Sequence, residues 1–331
     1  MKKFINDPYD VVDEMLEGFL AVNGRYVRKL ETARTLVRLE SPVKNKVGVI
    51  TGGGSGHKPA FIGFIGKGML DAVGVGEIFT SPPPNSIYEG AKAVNGGKGV
   101  IFLLGNYAGD VMNFQLAAEM IQAEGIPVEQ VIATDDVGSG VKEKAHNRRG
   151  VVGQFLGWKA VGAKAEAGGS LRECKAIALK VNNNTRTLGV ALTPCTVPAK
   201  GTPTFTLPDD EMEYGVGHHG EAGTAKIKML TADQVTEKMT MEIVDDLPFQ
   251  SGDEVAVLIN GLGGTPLIEL YVCFRRVKQI LESKRIRIDR SYVGEYFTAM
   301  EMAGFSVTLM KLDAELKALL AAPADTPYYK L

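Results

Sequence analysis

The amino-acid sequence predicts two α/β domains, with largely parallel or mixed sheets covered by helices and an active site at their interface. Three observations carry this. Short apolar runs alternate with segments of helical periodicity through the first half, the pattern of a sheet covered on both faces. Several of those runs end directly in glycine-rich loops, and in open α/β sheets that edge is where ligands sit. The texture changes near residue 184, and 331 residues at ~150 per domain suggest two units, 1–184 and 185–331.

The elements follow in order. Val11, Val12, Met15, Leu16, Phe19 and Leu20 recur at helical spacing over 10–22. A buried strand over 46–51 runs into Gly52-Gly53-Gly54-Ser55-Gly56-His57-Lys58-Pro59. A helix is expected over 86–94. A second strand over 99–104 enters Gly105-Asn106-Tyr107-Ala108-Gly109-Asp110, with a helix to about residue 123. The third strand, 128–133, leads to Asp135 and Asp136, and helices fill 149–167 and 170–182. In the second half, strands are expected over 187–192, 211–216, 254–260, 285–292 and 306–311, with helices over 231–244 and from Pro266 to about residue 281.

Composition narrows the function classes. The 37 basic and 39 acidic side chains leave a net charge of −2, without the basic excess of a nucleic-acid binder. No apolar run approaches the ~18 residues of a membrane span. The first ten residues lack the apolar stretch of a signal peptide, so a cytoplasmic protein is expected. Cys174, Cys195 and Cys273 are too few and too scattered for a disulfide framework or a zinc spacing, and read as buried thiols. The 39 glycines are about 12% of the chain against a typical ~7%, which suits loops that wrap a small polar ligand.

Four groups could carry chemistry. The 52–59 loop is a ligand loop or a tight structural turn. It is not a Walker A loop, because Gly56-His57-Lys58-Pro59 stands where Gly-Lys-Ser/Thr is required. Asp110 is a helix N-cap, a general base, or both. His218 and His219 sit in a glycine-rich loop with Glu221. Adjacent residues on a strand point to opposite faces, so at most one of the two is expected to serve a given site. With His57 far away in sequence, no metal ligand set is assigned. A neutral imidazole is also a nucleophile, so covalent chemistry stays open. Asp135 and Asp136 read as caps of the following turn, with Arg148 and Arg149 available to pair with them or with phosphate.

Several segments together resemble the ketose-binding subunit of the dihydroxyacetone kinase family. They are Gly-Gly-Gly-Ser-Gly-His at 52–57, Gly-Glu-Ile-Phe-Thr-Ser-Pro at 76–82, Asn-Tyr-Ala-Gly-Asp at 106–110, Arg-Arg-Gly-Val at 148–151 and Cys-Thr-Val-Pro at 195–198. Further on come Met-Glu-Tyr-Gly-Val-Gly-His-His-Gly-Glu at 212–221, Gly-Gly-Thr-Pro-Leu at 263–267 and Met-Ala-Gly-Phe-Ser-Val-Thr at 302–308. The match runs nearly end to end and in order.

The resemblance implies a short ketose held as a covalent hemiaminal on His219, with Gly54, Ser55, Gly56 and His57 forming the substrate loop and Asp110 the catalytic carboxylate. A ketone accepts an imidazole and glycerol does not, so the bond tests for the carbonyl. Asp110 would then take the proton of the terminal hydroxyl that attacks phosphorus, with His57 assisting. Single-chain members carry a further nucleotide-binding domain, and this chain stops at Leu331. ATP or ADP with magnesium is therefore expected on a separate partner subunit, with the phosphotransferase system as one phosphoryl source. A homodimer is the family expectation. Three positions depart from the bacterial dihydroxyacetone enzymes: His218 replaces a common isoleucine, Lys58 a glutamate and Gly105 a lysine. Gly105 removes a charge and is expected to open space for a longer ketose such as erythrulose. The family also includes a non-enzymatic ketose sensor that co-activates a transcription regulator, which is the alternative function.

Overall fold

The computed structural model describes residues 2–221 and 223–331. Its first sheet contains β1 (Val27–Lys29), β2 (Thr35–Arg38), β3 (Gly48–Gly53), β4 (Ala72–Val75), β5 (Val100–Gly105) and β6 (Val128–Ala133), in the order β1-β2-β4-β3-β5-β6. The run β4-β3-β5-β6 is parallel, while β1 and β2 pair antiparallel at one side. Helices α1 (Val11–Asn23), α2 (Pro84–Val94), α3 (Ala108–Ala123), α4 (Gln154–Glu166) and α5 (Leu171–Asn184) belong to this half.

Strand β5 shows why its sequence is apolar throughout. Phe102 and Leu104 pack with Ile87 and Phe114 of α2 and α3, whereas Ile101 and Leu103 face the opposite way, toward Phe155 and Trp158 of α4. Both faces are covered, so alternation has no polar side to display. Helix α5 starts with a capping box in which the Ser170 hydroxyl accepts from the Glu173 N–H and Glu173 accepts from the Ser170 N–H.

The second sheet has the order β11-β10-β12-β7-β8-β9, built from β7 (Thr185–Ala191), β8 (Glu211–Tyr214), β9 (Ala225–Lys228), β10 (Glu254–Gly261), β11 (Arg287–Gly294) and β12 (Gly304–Leu312). Helices α6 (Ala232–Asp246) and α7 (Leu267–Ser283) cover one face. On the other, Ala256, Leu258 and Met310 join the cluster that holds Phe155 and Trp158. The α4 layer therefore lies between the two sheets. Helix α8 (Ala314–Ala321) packs into that cluster through Leu316 and Leu320. The tail then returns to the first half, where Tyr328 donates its N–H to the Gly63 carbonyl at 3.0 Å.

This sheet is mixed, and only β10 and β11, bridged by α7, are parallel. The expectation of largely parallel or mixed sheets holds, with the first sheet mainly parallel and this one mixed. Helix α5 ends at Asn184 and β7 begins at Thr185. On that division between sheets we propose the units 1–184 and 185–331, joined by the shared core and the returning tail. Among the described residues, no helix is long and apolar enough to cross a membrane. All three cysteines are free and buried.

Candidate active site

Strand β3 delivers its chain into a short 3-10 turn, Ser55–His57. His57 is completely buried, and its Nδ1–H donates to the Thr298 carbonyl at 2.7 Å. That leaves the lone pair on Nε2, which has no partner among the described residues. Phe79 stacks on the ring at 5.0 Å with a left-handed backbone, φ +55°. Such a conformation in an aromatic residue is costly and is held by its surroundings.

The glycines explain themselves against Phe79. A Cβ on Gly54 would lie 2.7 Å from the Phe79 backbone, and one on Gly56 would lie 2.3 Å from its ring. The Ser55 hydroxyl donates to the Gly76 carbonyl at 2.7 Å. Gly54, Ser55 and Gly56 thus bind the loop to residues 76–80 and lock His57. A side chain at either glycine would collide with Phe79.

The second histidine loop follows β8. His219 is one-fifth exposed in its side chain, and its Nδ1 lies 3.0 Å from Glu221 Oε1. Its backbone N–H donates to Glu221 Oε2 at 2.8 Å. One carboxylate therefore grips the residue twice and leaves Nε2 as the free ring nitrogen. Arg149 ties this loop to the first half, donating to Asp136 at 2.8 Å and to the Gly215 carbonyl at 2.9 Å. A Cβ on Gly217 would lie 2.3 Å from Glu221 and 2.6 Å from Arg149, so the two charges approach across a missing side chain. Burial favours the protonated Glu221 carboxyl, but the His219 hydrogen bond and the His219 and Arg149 charges hold it down at about 2. Nothing in the sequence pattern assigned Glu221 this role; its spacing, two residues beyond His219, was the available signal.

The expectation that His218 and His219 diverge is overturned. Strand β8 stops at Tyr214 and the chain turns, with Gly215 and Gly220 at φ +76° and +71°. Off the strand, the rule of opposite faces no longer applies. The His57 and His218 ring centroids lie 4.6 Å apart, those of His57 and His219 4.7 Å, and those of His218 and His219 4.6 Å. Sequence distance had also kept His57 out of any ligand set with the pair, and the fold removes that objection. Burial, and next the charges of the neighbouring histidines, push His57 and His218 well below the ordinary imidazole range, so both are neutral.

Asp110 is the third residue of α3 rather than its N-cap, a position taken by Tyr107 with no side-chain capping bond. Its Oδ1 is buried without a hydrogen-bond partner among the described residues. Burial pushes its pKa up to about 6, against a hydrogen bond from Ser81 and the charge of His219. The Tyr107 ring packs on the histidine pair, with its centroid 4.5 Å from that of His219 and 5.4 Å from that of His218.

The remaining candidates have structural work. Asp136 caps the following turn by accepting from the Gly138 N–H, and Asp135 accepts from the Val151 and Gly153 N–H groups and the Thr187 hydroxyl. Arg148 pairs with Asp246 of α6 rather than with these acids. Lys58 is half-buried, with Nζ 3.3 Å from the Ala60 carbonyl, and burial lowers its pKa to about 7. Gly105 does not open space as expected. A Cβ there would lie 3.1 Å from Gln154 Nε2 and 3.2 Å from the Gly150 carbonyl and the Tyr107 ring.

Comparison with known proteins shows the family of the chain. The Dak1 domain matches residues 17–328. The chain is 45% identical to the dihydroxyacetone-binding subunit DhaK of the PTS-dependent dihydroxyacetone kinase 2 of Listeria innocua, covering all of both chains. It is 42% identical to the D-erythrulose kinase of Mycolicibacterium smegmatis, over all of this chain and 57% of that protein. Among solved structures, the dihydroxyacetone kinase of C. freundii in complex with AMP-PNP and Mg2+ aligns with a TM-score of 0.90 and 33% identity, over 99% of this chain and 61% of that one. The dihydroxyacetone kinase operon co-activator Dha-DhaQ aligns at 0.88 with 32% identity, over 95% and 97%. With its motifs, its histidine loops and these similarities in agreement, the chain belongs to the dihydroxyacetone kinase family through a Dak1 domain that spans nearly its whole length.

Proposed function

We propose that this chain is the ketose-binding subunit of a kinase that phosphorylates the terminal hydroxyl of a short-chain ketose, dihydroxyacetone or an erythrulose-like sugar. The observation that carries the reading is the hold of Glu221 on His219 Nδ1, which leaves Nε2 free in a ring 4.7 Å from that of neutral His57; the buried, unpartnered carboxyl of Asp110 feels the charge of His219.

The chemistry follows from those groups. His219 Nε2 adds to the carbonyl carbon, the carbonyl oxygen takes up a proton, and the Nδ1 proton leaves through Glu221. The product is a neutral hemiaminal, and a polyol without a carbonyl cannot form it. Asp110, with a pKa near neutrality, accepts the proton of the terminal hydroxyl as it attacks phosphorus, and His57 assists through its free Nε2. Gly54, Ser55 and Gly56 hold the wall against which the ketose rests. The nucleotide, ATP or ADP with magnesium, sits on a partner subunit; in one arrangement the phosphotransferase system supplies the phosphoryl group through bound ADP. The Dak1 relatives named for PTS-dependent kinases support this arrangement. A cytoplasmic homodimer is the expected assembly.

The test is intact-protein mass spectrometry across short ketoses, for the wild type and His219→Ala. A one-ketose mass increase confined to the wild type is the expected result, and capture that survives the substitution rejects the site. The co-activator reading draws on the likeness to Dha-DhaQ. A ketose captured by the chain but never phosphorylated with any nucleotide-binding partner would favour it.

A further inference from the structure

Ketose capture uses one imidazole, yet three meet here. His57, His218 and His219 each offer a ring nitrogen, and the three nitrogens lie within 4.8 Å of one another. Hydrogen bonds already settle two of the lone pairs. His57 gives its Nδ1–H to the Thr298 carbonyl and His219 its Nδ1–H to Glu221, so Nε2 is the free base in both. An imidazole whose far nitrogen is fixed by a carbonyl or carboxylate is the usual form of a metal-binding histidine. His218 stacks on Phe297 at 4.2 Å, and its buried Nδ1 has no partner among the described residues. Buried polar nitrogens left without partners are destabilising, which calls for an occupant.

We propose that His57, His218 and His219 form a binding site for a borderline divalent cation of the Zn2+ class, and that this ion competes with the ketose for Nε2 of His219. The competition rests on the ketose reading above; the ion site does not. Three imidazoles with a fourth position open to water is a recognised zinc arrangement. Imidazole favours zinc, copper, cobalt and nickel, whereas magnesium prefers oxygen, so the Mg2+ that travels with a nucleotide is excluded by donor type. Zn–N bonds of ~2.0–2.1 Å in a tetrahedron place the nitrogens roughly 3.3 Å apart, so capture draws the rings inward by on the order of an ångström. The Glu221 carboxylate behind His219 and the Asp110 carboxyl supply compensating negative charge, with Arg149 acting against it.

The experiment uses the metal-free full-length chain, titrated with Co2+ as a spectroscopic probe and with Zn2+ by calorimetry, with ketose capture followed by intact mass. The expected result is one ion per chain, tetrahedral Co2+ bands in the visible, and ketose capture that falls as Zn2+ is added and returns with chelator. His218→Ile should weaken Zn2+ by more than ~100-fold, beyond the ~10–100-fold typical of outer-shell changes. Ketose capture by that variant in metal-free buffer should persist, because His219 Nε2 and the Glu221 contact behind it remain in place. His218→Gln, which keeps a polar side chain, should lose Zn2+ in the same way and guards against a folding defect. A wild type that binds Zn2+ no better than these variants overturns the site. Zn2+ held through His218 with undiminished ketose capture overturns the competition. Failure of ketose capture without metal, alongside His218-dependent Co2+ bands, overturns the ketose reading and leaves the ion site standing.

Discussion

The two histidine loops meet at one point but hold their rings in different ways. His57 is sealed between Phe79 and Phe297, with centroids at 5.0 and 4.9 Å, and its Nδ1–H faces a backbone carbonyl. His219 is partly open, and its Nδ1–H faces a carboxylate. A carbonyl orients a ring but cannot take its proton. A carboxylate does both and stabilises the positive charge that builds up when Nε2 bonds to carbon. The contrast teaches that ring geometry alone does not make a nucleophile; the group behind the ring decides. In the proposed reaction, this makes His57 a fixed neutral neighbour and His219 the nucleophile.

The most severe way to break the comparison is to remove one ring at a time. His219→Ala should abolish both the ketose adduct and phosphorylation, whereas His57→Ala should leave an adduct visible by mass while turnover falls ~10²–10⁴-fold. Loss of the adduct in both variants would mean the rings act alike. Close in size is Asp110. A base works ionised, and the ionised fraction falls below the pKa, so kcat/KM should drop about tenfold per pH unit beneath pH ~6. Asp110→Asn should cost ~10²–10⁴-fold and remove that acid limb. A limb that persists in the variant assigns it to another group.

Arg148 tests how the two halves are held in register. Its guanidinium donates to both carboxylate oxygens of Asp246, and the arginine is 1% exposed. Arg148→Ala leaves Asp246 with Arg186 alone, at 2.6 Å, and should destabilise the fold by about 1.5–3 kcal/mol in chemical denaturation. Glu221→Gln sharpens the contrast directly, because it makes the acceptor behind His219 neutral, as it is behind His57. Ketose capture should weaken roughly tenfold, about 1.4 kcal/mol, with the fold intact. An unchanged affinity would show that orientation suffices. The smallest effect lies away from the site. Ser170→Ala breaks the capping box of α5 and should lower stability by about 1 kcal/mol with capture unaltered.

Several features were legible from local pattern. The strand over 128–133 falls where β6 does, and Thr231, at the start of the expected helix, caps α6 through its side chain. The long amphipathic helices and the apolar strands that end in glycine announce themselves because periodicity and punctuation are local properties. Strands β1, β2, β4 and β9 were not anticipated. They are three or four residues long, and β2 and β4 are buried at every position, so no alternation marks them. Helix α8 is only eight residues and draws its stability from packing on the core between the sheets.

From sequence alone came an α/β chain in two parts, which rests on composition and periodicity, and the family, which rests on ordered motifs; the grouping of residues 57, 110 and 219 was an expectation carried by that resemblance. Tertiary structure alone decided that the second sheet is mostly antiparallel and that Gly105 is walled in by Gln154. It alone turned His218 to the same side as His219 and placed Glu221 against His219 Nδ1. Each of those outcomes depends on a turn or on a neighbour distant in the chain. A residue-by-residue pattern records what a segment prefers and is silent about what folds against it.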